Sequence, residues 1–507
     1  MLRLFVLLIA VMLPARLAAS DLYRVWLDGN PEAAAKLAES YRTVLSLRGR
    51  FTDALLSDDE VAQLRRQGFR LEFVQKDPEG YMRKIAASPD RGDYRSYAEM
   101  VAELRALARD NPELVRLEDF GDSWEKTAGV ADRDLWAVGV FSPQAEVRKA
   151  PAVFFLGGIH AREIGTTEVL TEFIHRLVRG YSAEPAMRQL LDSRRLWIVP
   201  MLNPDGREYV LSTDPWWRKN RHRFPDSGGV GVDLNRNFPF FWASGIGSSD
   251  SPASAIYRGE APFSEPETAA LSSLVTRLGP VASLSFHAYG QYILTPYGYP
   301  ERRPEEHDVY DTIGRELTEQ TGYPAGTVSQ MLGYTSSGRH DDWLYGMRRV
   351  VSLEMELGRT FFPEKRELET LSRLAEGACL YLARASGEWF RASLEPETVS
   401  PGARTRTSPV MFRAVLKIKN GGLADARSVK WVVEEKPGQA QWHPSSGTIG
   451  VLPGIRHGAA VAQVPVEIRI PASAKGLSAD SLKVIVISDG SRVEVPVEPG
   501  TRSIPGE

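Results

Sequence analysis

The stretch AVFFLGGIHAREIGTTEVL, residues 152–170, joins three kinds of local sequence. It begins with an apolar run that predicts a buried strand, and two glycines then let the backbone turn tightly. His160, Arg162 and Glu163 come next, and apolar residues with helical spacing follow them. Because ligands bind at the carboxyl ends of strands in open α/β folds, this strand-to-helix turn is a candidate functional site.

Around this stretch, apolar runs alternate with amphipathic segments from about Tyr94 to Ala392. The alternation is typical of an α/β domain, so we expect a mixed, mostly buried sheet flanked by helices over residues 89–393. The predicted strands are DLWAVGVF, AVFFLG, RRLWIVPML, VASLSFHA and RVVSLEMEL. The predicted helices are YAEMVAELRALARDNPEL and EVLTEFIHRLVRGY.

Two smaller units flank this domain. Residues 21–88 contain strand-like and helix-like segments in the order β-α-β-β-α-β, which predicts a small α+β unit, and the polar run KDPEGYMRKIAASPDRGD is interpreted as a linker. After the Pro/Ser/Thr-rich stretch ETVSPGARTRTSP, residues 400–507 hold short strands separated by Gly, Ser and Pro. That pattern predicts a β-sandwich.

Composition and the N-terminus indicate the class of protein. The chain has 507 residues, 43% hydrophobic and 25% charged, and its net charge of −3 gives no reason to expect nucleic acid or an anionic membrane as a partner. The first twenty residues, MLRLFVLLIAVMLPARLAAS, have the basic, apolar and small-residue regions of a secretory signal. We therefore expect residues 1–20 to be a signal peptide. The mature protein is expected to be a secreted or periplasmic monomer with no membrane span.

Three residues in the α/β domain form a candidate zinc site. His160 and Glu163 are ligand types that zinc prefers, and the strand VASLSF ends directly in His287. A catalytic zinc takes three protein ligands and keeps one position open. The strand VVSLEMELG adds Glu354 and Glu356 as candidate catalytic carboxylates. A polar turn that caps the next helix and an edge strand with a solvated face are the alternative interpretations.

Other polar positions are interpreted structurally. Ser264 in SEPE is predicted as a helix N-cap, with Glu267 completing a capping box. Cys379, the only cysteine, has helical apolar surroundings that predict a core position, and a single cysteine excludes an intrachain disulfide. Surface positions are expected for the histidines His175, His222, His307, His340 and His457.

Several separated motifs then stand in one order along the chain. They are GGIHAREIG, VPMLNPDGREY, WWRKNR, GVDLNRNF, APFSEPETAAL, SFHAYGQYILTPYGY and YTSSGRHDDWLYGMRRVVSLEMELG. In these motifs the chain resembles the zinc carboxypeptidases of the carboxypeptidase A/B type over residues 94–392. Residues 21–88 resemble the inhibitory prosegment of that family more loosely, and residues 400–507 are not part of the resemblance.

The resemblance implies a role for each matching residue. The implied zinc ligands are His160, Glu163 and His287, the general base is Glu356, and the arginine that polarises the scissile carbonyl is Arg218. The implied substrate-binding residues are Asn235 and Arg236, which clamp the terminal carboxylate, the mobile tyrosine Tyr334, and the subsite residues Arg162 and Tyr289. A guanidinium suits this clamp because it holds a carboxylate with two parallel hydrogen bonds.

Substrate preference is predicted from Asp341, which falls at the base of the pocket for the C-terminal side chain. Members of the B type carry an aspartate there, also within DDW. Glu354 lies two residues before the base on the same strand face and is expected to add a second negative charge. We therefore expect a preference for C-terminal Lys or Arg. Broader specificity is the alternative, because Arg339 in the same loop is a candidate to neutralise Asp341.

The sequence thus predicts a secreted zinc-dependent carboxypeptidase with one Zn2+ per catalytic domain, acting on the C-termini of peptides or proteins. Water activated by the zinc attacks the C-terminal peptide bond, with Glu356 as the base. A zymogen is expected, with Arg83, Lys84 and Arg91 as candidate cleavage points. One alternative is an amidase of cell-wall peptides with the same zinc centre. Another is a non-catalytic binding module, which loss of a ligand or of the base would favour; none is lost.

Overall fold

The computed structural model describes residues 20–27, 37, 42–43, 51–87, 94–147, 149–396, 410–433, 440–470, 483–488 and 491–499. The predicted signal residues 1–19, most of the predicted helix PEAAAKLAES and the break at 397–409 lie outside the described residues. Among the described residues, no helix is both long and apolar enough to cross a membrane.

The N-terminal unit is an antiparallel sheet of four strands with a helix packed on it. Its strands are β1 (Asp21–Trp26), β2 (Arg42–Thr43), β3 (Phe51–Leu56) and β4 (Leu71–Gln75), in the order β2-β3-β1-β4. The helix Asp58–Arg66 starts with a capping box between Ser57 and Glu60 and buries Val61 and Leu64. The predicted small α+β unit is confirmed.

The run predicted as a linker contains a helix, Pro78–Ala87. Met82 and Ile85 on this helix are buried in the core of the α/β domain. The linker prediction was wrong for two reasons. The charged residues of the run obscured the helical spacing of its apolar residues, and Pro78 was taken as a sign of a loop although proline is favourable in the first turn of a helix. Two predicted cleavage points, Arg83 and Lys84, lie on this helix, and Arg91 lies outside the described residues.

The α/β domain is built on a mixed sheet of eight strands in the order β13-β12-β14-β11-β7-β8-β6-β5. Its strands are β5 (Val115–Asp122), β6 (Asp134–Val140), β7 (Ala152–Leu156), β8 (Arg195–Val199), β11 (Pro280–Ala288), β12 (Tyr292–Thr295), β13 (Ala325–Thr327) and β14 (Val351–Leu357). A separate small hairpin consists of β9 (Arg223–Phe224) and β10 (Gly229–Val230). The central strands β14, β11, β7 and β8 run parallel.

Helices cover both faces of this sheet. They are Tyr97–Asp110, Trp124–Thr127, Pro143–Val147, Gly165–Ala183, Pro185–Ser193, Pro204–Ser212, Pro266–Leu278, His307–Thr321, Val328–Leu332, His340–Arg348 and Lys365–Ala385, with 3-10 turns at Leu234–Arg236 and Trp242–Ser244. Because side chains alternate along a strand, Phe155 packs into the core of one face and Phe154 into that of the other. The predicted mixed, buried sheet is confirmed, and Cys379 is buried as expected.

The C-terminal unit is a barrel-like arrangement of eight strands in the order β18-β20-β16-β15-β22-β21-β17-β19. Its strands are β15 (Phe390–Pro396), β16 (Val410–Asn420), β17 (Ala426–Val433), β18 (Gln441–His443), β19 (Ser446–Leu452), β20 (Val461–Ile470), β21 (Lys483–Ser488) and β22 (Ser491–Pro499), with a 3-10 turn at Ile455–His457. β22 joins the two halves because it pairs with β15 at one end and with β21 along its length.

This unit begins earlier than the sequence predicted. β15 starts at Phe390, inside the range expected for the α/β domain, because its backbone pairs with β16 rather than with the central sheet. Buried Arg194 ties the junction together, since its guanidinium donates to the carbonyls of Ala383 at 3.2 Å and Glu388 at 2.8 Å. Two ion pairs brace the same side: Arg391 with Glu316, and Arg456 with Glu306.

The helix Pro266–Leu278 starts differently from the prediction. Its N-cap residue is Glu265, while the Ser264 hydroxyl accepts from Asn237 and donates to Glu265. Glu267 accepts instead from the backbone N–H of Trp124 at 2.9 Å. Burial, together with the nearby carboxylate of Glu265, raises the pKa of Glu267 from its ordinary 4.5 to about 8. Glu267 is therefore a buried carboxyl group that favours its protonated form.

Glu267→Gln is expected to stabilise the protein at alkaline pH. The folded wild type binds a proton that the unfolded chain releases, so its free energy of unfolding falls as pH rises from about 4.5 to about 8. The amide cannot ionise, so the variant should gain on the order of 3 kcal/mol over wild type between pH 5 and pH 8. Urea unfolding at both pH values measures this difference. Exposed Glu113→Gln is the control, and parallel pH curves for wild type and Glu267→Gln would contradict the prediction.

Candidate functional site

A tight turn after β7 places His160 and Glu163. Gly158 has a φ of +63°, and a Cβ there would lie 2.9 Å from the Cα of Met201, so glycine suits this position. The Thr166 hydroxyl accepts from the N–H of Gly158 at 3.0 Å and donates to the carbonyl of Glu163 at 2.7 Å. This hydroxyl ties the two ends of the turn together at the start of the helix Gly165–Ala183.

The parallel pairing of β11 and β14 places the other polar residues of the site. His287 on β11 is the register partner of Glu356 on β14, and Ser285 is the partner of Glu354. These side chains share one face of the sheet because successive side chains alternate. β14 lies between β11 and β12, so the edge-strand interpretation is wrong.

His160, Glu163 and His287 converge at a buried point. Each offers one ligand atom, and these atoms all lie within 4.8 Å of one another. Nδ1 of His160 is 2.8 Å from one Glu163 oxygen, and Nδ1 of His287 is 3.0 Å from the other. Burial lowers the pKa of His160. Burial alone would raise the pKa of Glu163, but the charges of His160 and His287 hold it well below its usual range. Burial alone would lower the pKa of His287, but the charges of Glu354 and Glu163 raise it to about 9. Two imidazole nitrogens and one carboxylate oxygen that converge in this way are a donor set that binds zinc, and a bound cation would displace the proton of His287, so these residues fit that ion.

Asp233 is a site residue that the sequence analysis missed. Its Oδ1 lies 3.2 Å from the outer nitrogen Nε2 of His160, and its Oδ2 accepts from Nε of Arg218 at 3.0 Å. A carboxylate in this position fixes the orientation and tautomer of the imidazole. The available signal was its place in GVDLNRNF, two residues before Asn235.

Asn235 and Arg236 lie together in a buried 3-10 turn. Oδ1 of Asn235 accepts from the backbone N–H of His340 at 2.9 Å. Arg236 donates to the carbonyl of Gly247 at 2.9 Å and to that of Asn235 at 2.7 Å. Gly338 passes so close that a Cβ would lie 2.4 Å from the carbonyl oxygen of Arg236. The amide and the guanidinium are thus held in place by backbone contacts.

The remaining predicted site residues lie around this centre. Partly buried Tyr334 has its pKa raised by burial, an effect that the charges of Arg236 and Arg339 oppose. Arg162 stacks on the ring of Phe361 at 4.4 Å, and burial lowers its pKa to about 10. The hydroxyl of Tyr289 donates to Asp53 of the N-terminal unit at 2.5 Å. This residue therefore contacts the N-terminal unit directly.

Asp341 and Glu354 are both bound to Arg339. Nε of Arg339 donates to Asp341 at 3.2 Å, and Nη2 donates to Glu354. All three side chains are buried, and a Cβ at Gly298 would lie 2.4 Å from Cδ of Arg339. The arginine therefore fills the space beside Gly298. The group thus sets two carboxyl groups against one guanidinium; burial raises the pKa of Asp341, an effect that the charge of Arg339 opposes.

The histidines outside the metal cluster differ in exposure. His307 and His457 are exposed as expected, whereas His175 and His222 are partly buried. The expectation for His340 was wrong: it is buried, and its ring packs against Phe238 with 5.3 Å between ring centroids. Burial, together with the nearby charge of His287, lowers its pKa to about 3. His340 is the first residue of the helix His340–Arg348. The sequence of this first turn did not indicate which face of the helix points to the core.

Comparison with known proteins agrees with this geometry. Residues 100–375 match the family described as zinc carboxypeptidase, and the chain belongs to that family. Mast cell carboxypeptidase A of Rattus norvegicus is 31% identical over 296 residues, which cover 56% of this chain and 69% of that protein. The zinc carboxypeptidase of Saccharothrix mutabilis subsp. capreolus is 31% identical over 277 residues, covering 52% of this chain and 62% of that protein.

A solved structure supports the fold. The crystal structure of thrombin activatable fibrinolysis inhibitor superposes with a TM-score of 0.64 at 24% sequence identity, covering 72% of this chain and 98% of that one. Membership of the zinc carboxypeptidase family, and not the structural likeness, shows that the chain is a metallocarboxypeptidase that uses zinc and acts on the C-termini of peptides.

Proposed function

We propose that this chain is an exported carboxypeptidase in which His160, Glu163 and His287 hold the zinc ion. The observation that carries the proposal is the convergence of their three ligand atoms within 4.8 Å, next to the carboxylate of Glu356 on the neighbouring strand. Export rests on the signal-like composition of residues 1–20.

The side chains around the cluster suit hydrolysis of a peptide bond. A zinc ion held there supplies Lewis acidity to water and to a carbonyl group. Glu356 takes the proton of the attacking water; burial and the nearby carboxylates of Glu354 and Glu163 raise its pKa, which makes it a stronger base when ionised. Arg218, oriented by Asp233, donates to the oxyanion that develops on the scissile carbonyl.

Binding of the substrate's terminal carboxylate explains why such an enzyme removes single C-terminal residues. Asn235 and Arg236 present an amide and a guanidinium from one buried turn. Arg218 and Tyr334 are near enough to Arg236 to interact with its charge. A guanidinium binds a carboxylate with two parallel hydrogen bonds. A residue on the C-terminal side of an internal peptide bond carries no free carboxylate, so such a bond gains no binding energy from Asn235 and Arg236.

Variants of the metal ligands and of the base are expected to fail in different ways. His160→Ala, Glu163→Ala and His287→Ala should each lose zinc and activity. Glu356→Gln should keep the zinc and lower kcat by at least 10²-fold, because proton transfer contributes about 10²–10⁴-fold. Metal content of the purified proteins and hydrolysis of a C-terminal peptide bond measure both effects. A Glu356→Gln protein with near wild-type kcat would contradict the assignment of the base.

For substrate preference, we propose C-terminal Lys or Arg. Support comes from the two carboxyl groups that share the single guanidinium of Arg339, and from Oδ2 of Asp341, which is buried and has no hydrogen-bond partner among the described residues. A buried carboxylate left unpaired by a neutral substrate discriminates strongly against it. The alternative is a preference for uncharged residues, which the occupation of both carboxylates by Arg339 favours.

Peptides that end in Arg, Leu or Glu and are otherwise identical separate these alternatives. Wild type should give the highest kcat/KM for Arg. Asp341→Asn should lower the Arg-to-Leu ratio, and Arg339→Met should raise it about tenfold because both carboxylates lose their internal partner. Using ratios cancels any general loss of activity. If wild type prefers the peptide that ends in Leu and Arg339→Met prefers the one that ends in Arg, the alternative, a preference for uncharged C-terminal residues, is established.

The N-terminal unit supports a further proposal, that the intact chain is latent. Besides the contact between Asp53 and Tyr289, Gln75 donates to the carbonyl of Phe362 at 2.9 Å and accepts from Thr360 at 2.5 Å. These contacts lie next to the subsite residues that the resemblance implies. A unit docked there covers the approach of a substrate.

Gln75→Ala is expected to make the intact chain about tenfold more active, because the variant loses two hydrogen bonds of the docked unit and keeps its internal Arg24–Asp53 pair. Exposed Asp59→Ala on the same unit is the control. Activity of each protein is measured before and after limited trypsin cleavage. Equal activity of intact and cleaved wild type would exclude latency and leave the unit a structural role.

A further inference from the structure

Glu354 is the residue where three parts of the site meet. Its Oε2 accepts from Nη2 of Arg339, lies 3.4 Å from Nδ2 of Asn235 and lies 3.5 Å from Nε2 of His287. The side chain is 2% exposed, so water does not replace these donors. Its place on β14, opposite Ser285 of β11, fixes it directly beside the strand that carries His287.

The outer nitrogen of His287 needs an acceptor. Nδ1 of His287 faces Glu163 and His160, so Nε2 points away from the cluster. Nε2 is buried and makes no hydrogen bond within the described residues, although buried polar atoms are nearly always paired. The Glu354 carboxylate lies just beyond hydrogen-bond length from it.

The other ligand histidine shows what such a carboxylate does. Nδ1 of His160 faces the cluster, and its Nε2 faces Asp233 at 3.2 Å. An imidazole that donates one N–H to a carboxylate keeps the other nitrogen deprotonated for the metal. Glu354 lies at the corresponding nitrogen of His287, at 3.5 Å instead of 3.2 Å.

We propose that Glu354 is a positioning residue for the metal centre, which orients His287 through Nε2 while it also holds Asn235 and Arg339. The inference rests on the proposed function for the identity of the metal. Glu354 therefore differs from the substrate-binding role expected from the sequence. Its charge is directed at protein groups, and any effect on a substrate side chain is exerted through Arg339.

Zinc affinity tests this assignment without any turnover. Competition of the zinc-free protein with a chromophoric chelator gives the dissociation constant for zinc in each variant. Glu354→Gln removes the charge, whereas Glu354→Asp keeps the charge and withdraws it from Nε2 by one methylene. Both should weaken zinc binding about tenfold, the lower end of the loss usual for such partners. The visible spectrum of the cobalt-substituted protein should shift in both, because the orientation of His287 changes.

Arg339→Met is the matched control. It removes the strongest partner of Glu354 and leaves the carboxylate beside His287, so zinc affinity should not weaken. If the Glu354 variants fail to fold because Arg339 loses one of its two carboxylate partners, the same substitutions are made in the Arg339→Met background, where that cation is absent.

Two results would overturn the proposal: wild-type zinc affinity in the Glu354→Asp protein, or an equal loss of affinity in Arg339→Met. A protein that binds zinc with the expected differences and hydrolyses no peptide would contradict the proposed function instead.

Discussion

The parallel register between β11 and β14 is the constraint on which the site depends. It sets His287 beside Glu356 and Ser285 beside Glu354, on one face of the sheet. A shift of one residue would turn every one of these side chains to the opposite face, into an apolar core. Since both strands are buried, their hydrophobic partners on the other face oppose such a shift. The chemistry of the site is therefore specified by the same contacts that stabilise the sheet.

The charged groups of the site lie beside partners of opposite charge. Arg218 is held by Asp233, and Arg339 by Asp341 and Glu354. A buried charge without a partner is costly, so removal of one member destabilises the other. The groups that would meet substrate thus have protein partners before substrate arrives, and preorganised placement of dipoles is a main source of catalytic rate.

Strand periodicity and motif order were sufficient to predict the central sheet and the cluster of His160, Glu163 and His287. What the sequence could not indicate was which charges on distant segments pair in space. The contact of Arg339 with Asp341 was predicted from their places in one loop, and it is present. The partners of Asp233, and the second partner of Arg339, Glu354, depend on how distant segments pack together, which the sequence did not indicate. The helix at Pro78–Ala87 was missed for a related reason, because its apolar residues are meaningful only against a neighbouring core.

The junction at Arg194 has a mechanical consequence. Strand β15 follows the helix Lys365–Ala385 after four residues. The buried guanidinium of Arg194 donates to the carbonyl of Ala383 in this helix and to that of Glu388 in the short connection before β15. The C-terminal unit is therefore joined to the α/β domain by a short, hydrogen-bonded connection and not by a flexible linker. If its outer face were held by a larger object, the catalytic cleft would be presented at one fixed angle and height. Reach and direction of approach would then select among peptide ends, in addition to the identity of the last residue.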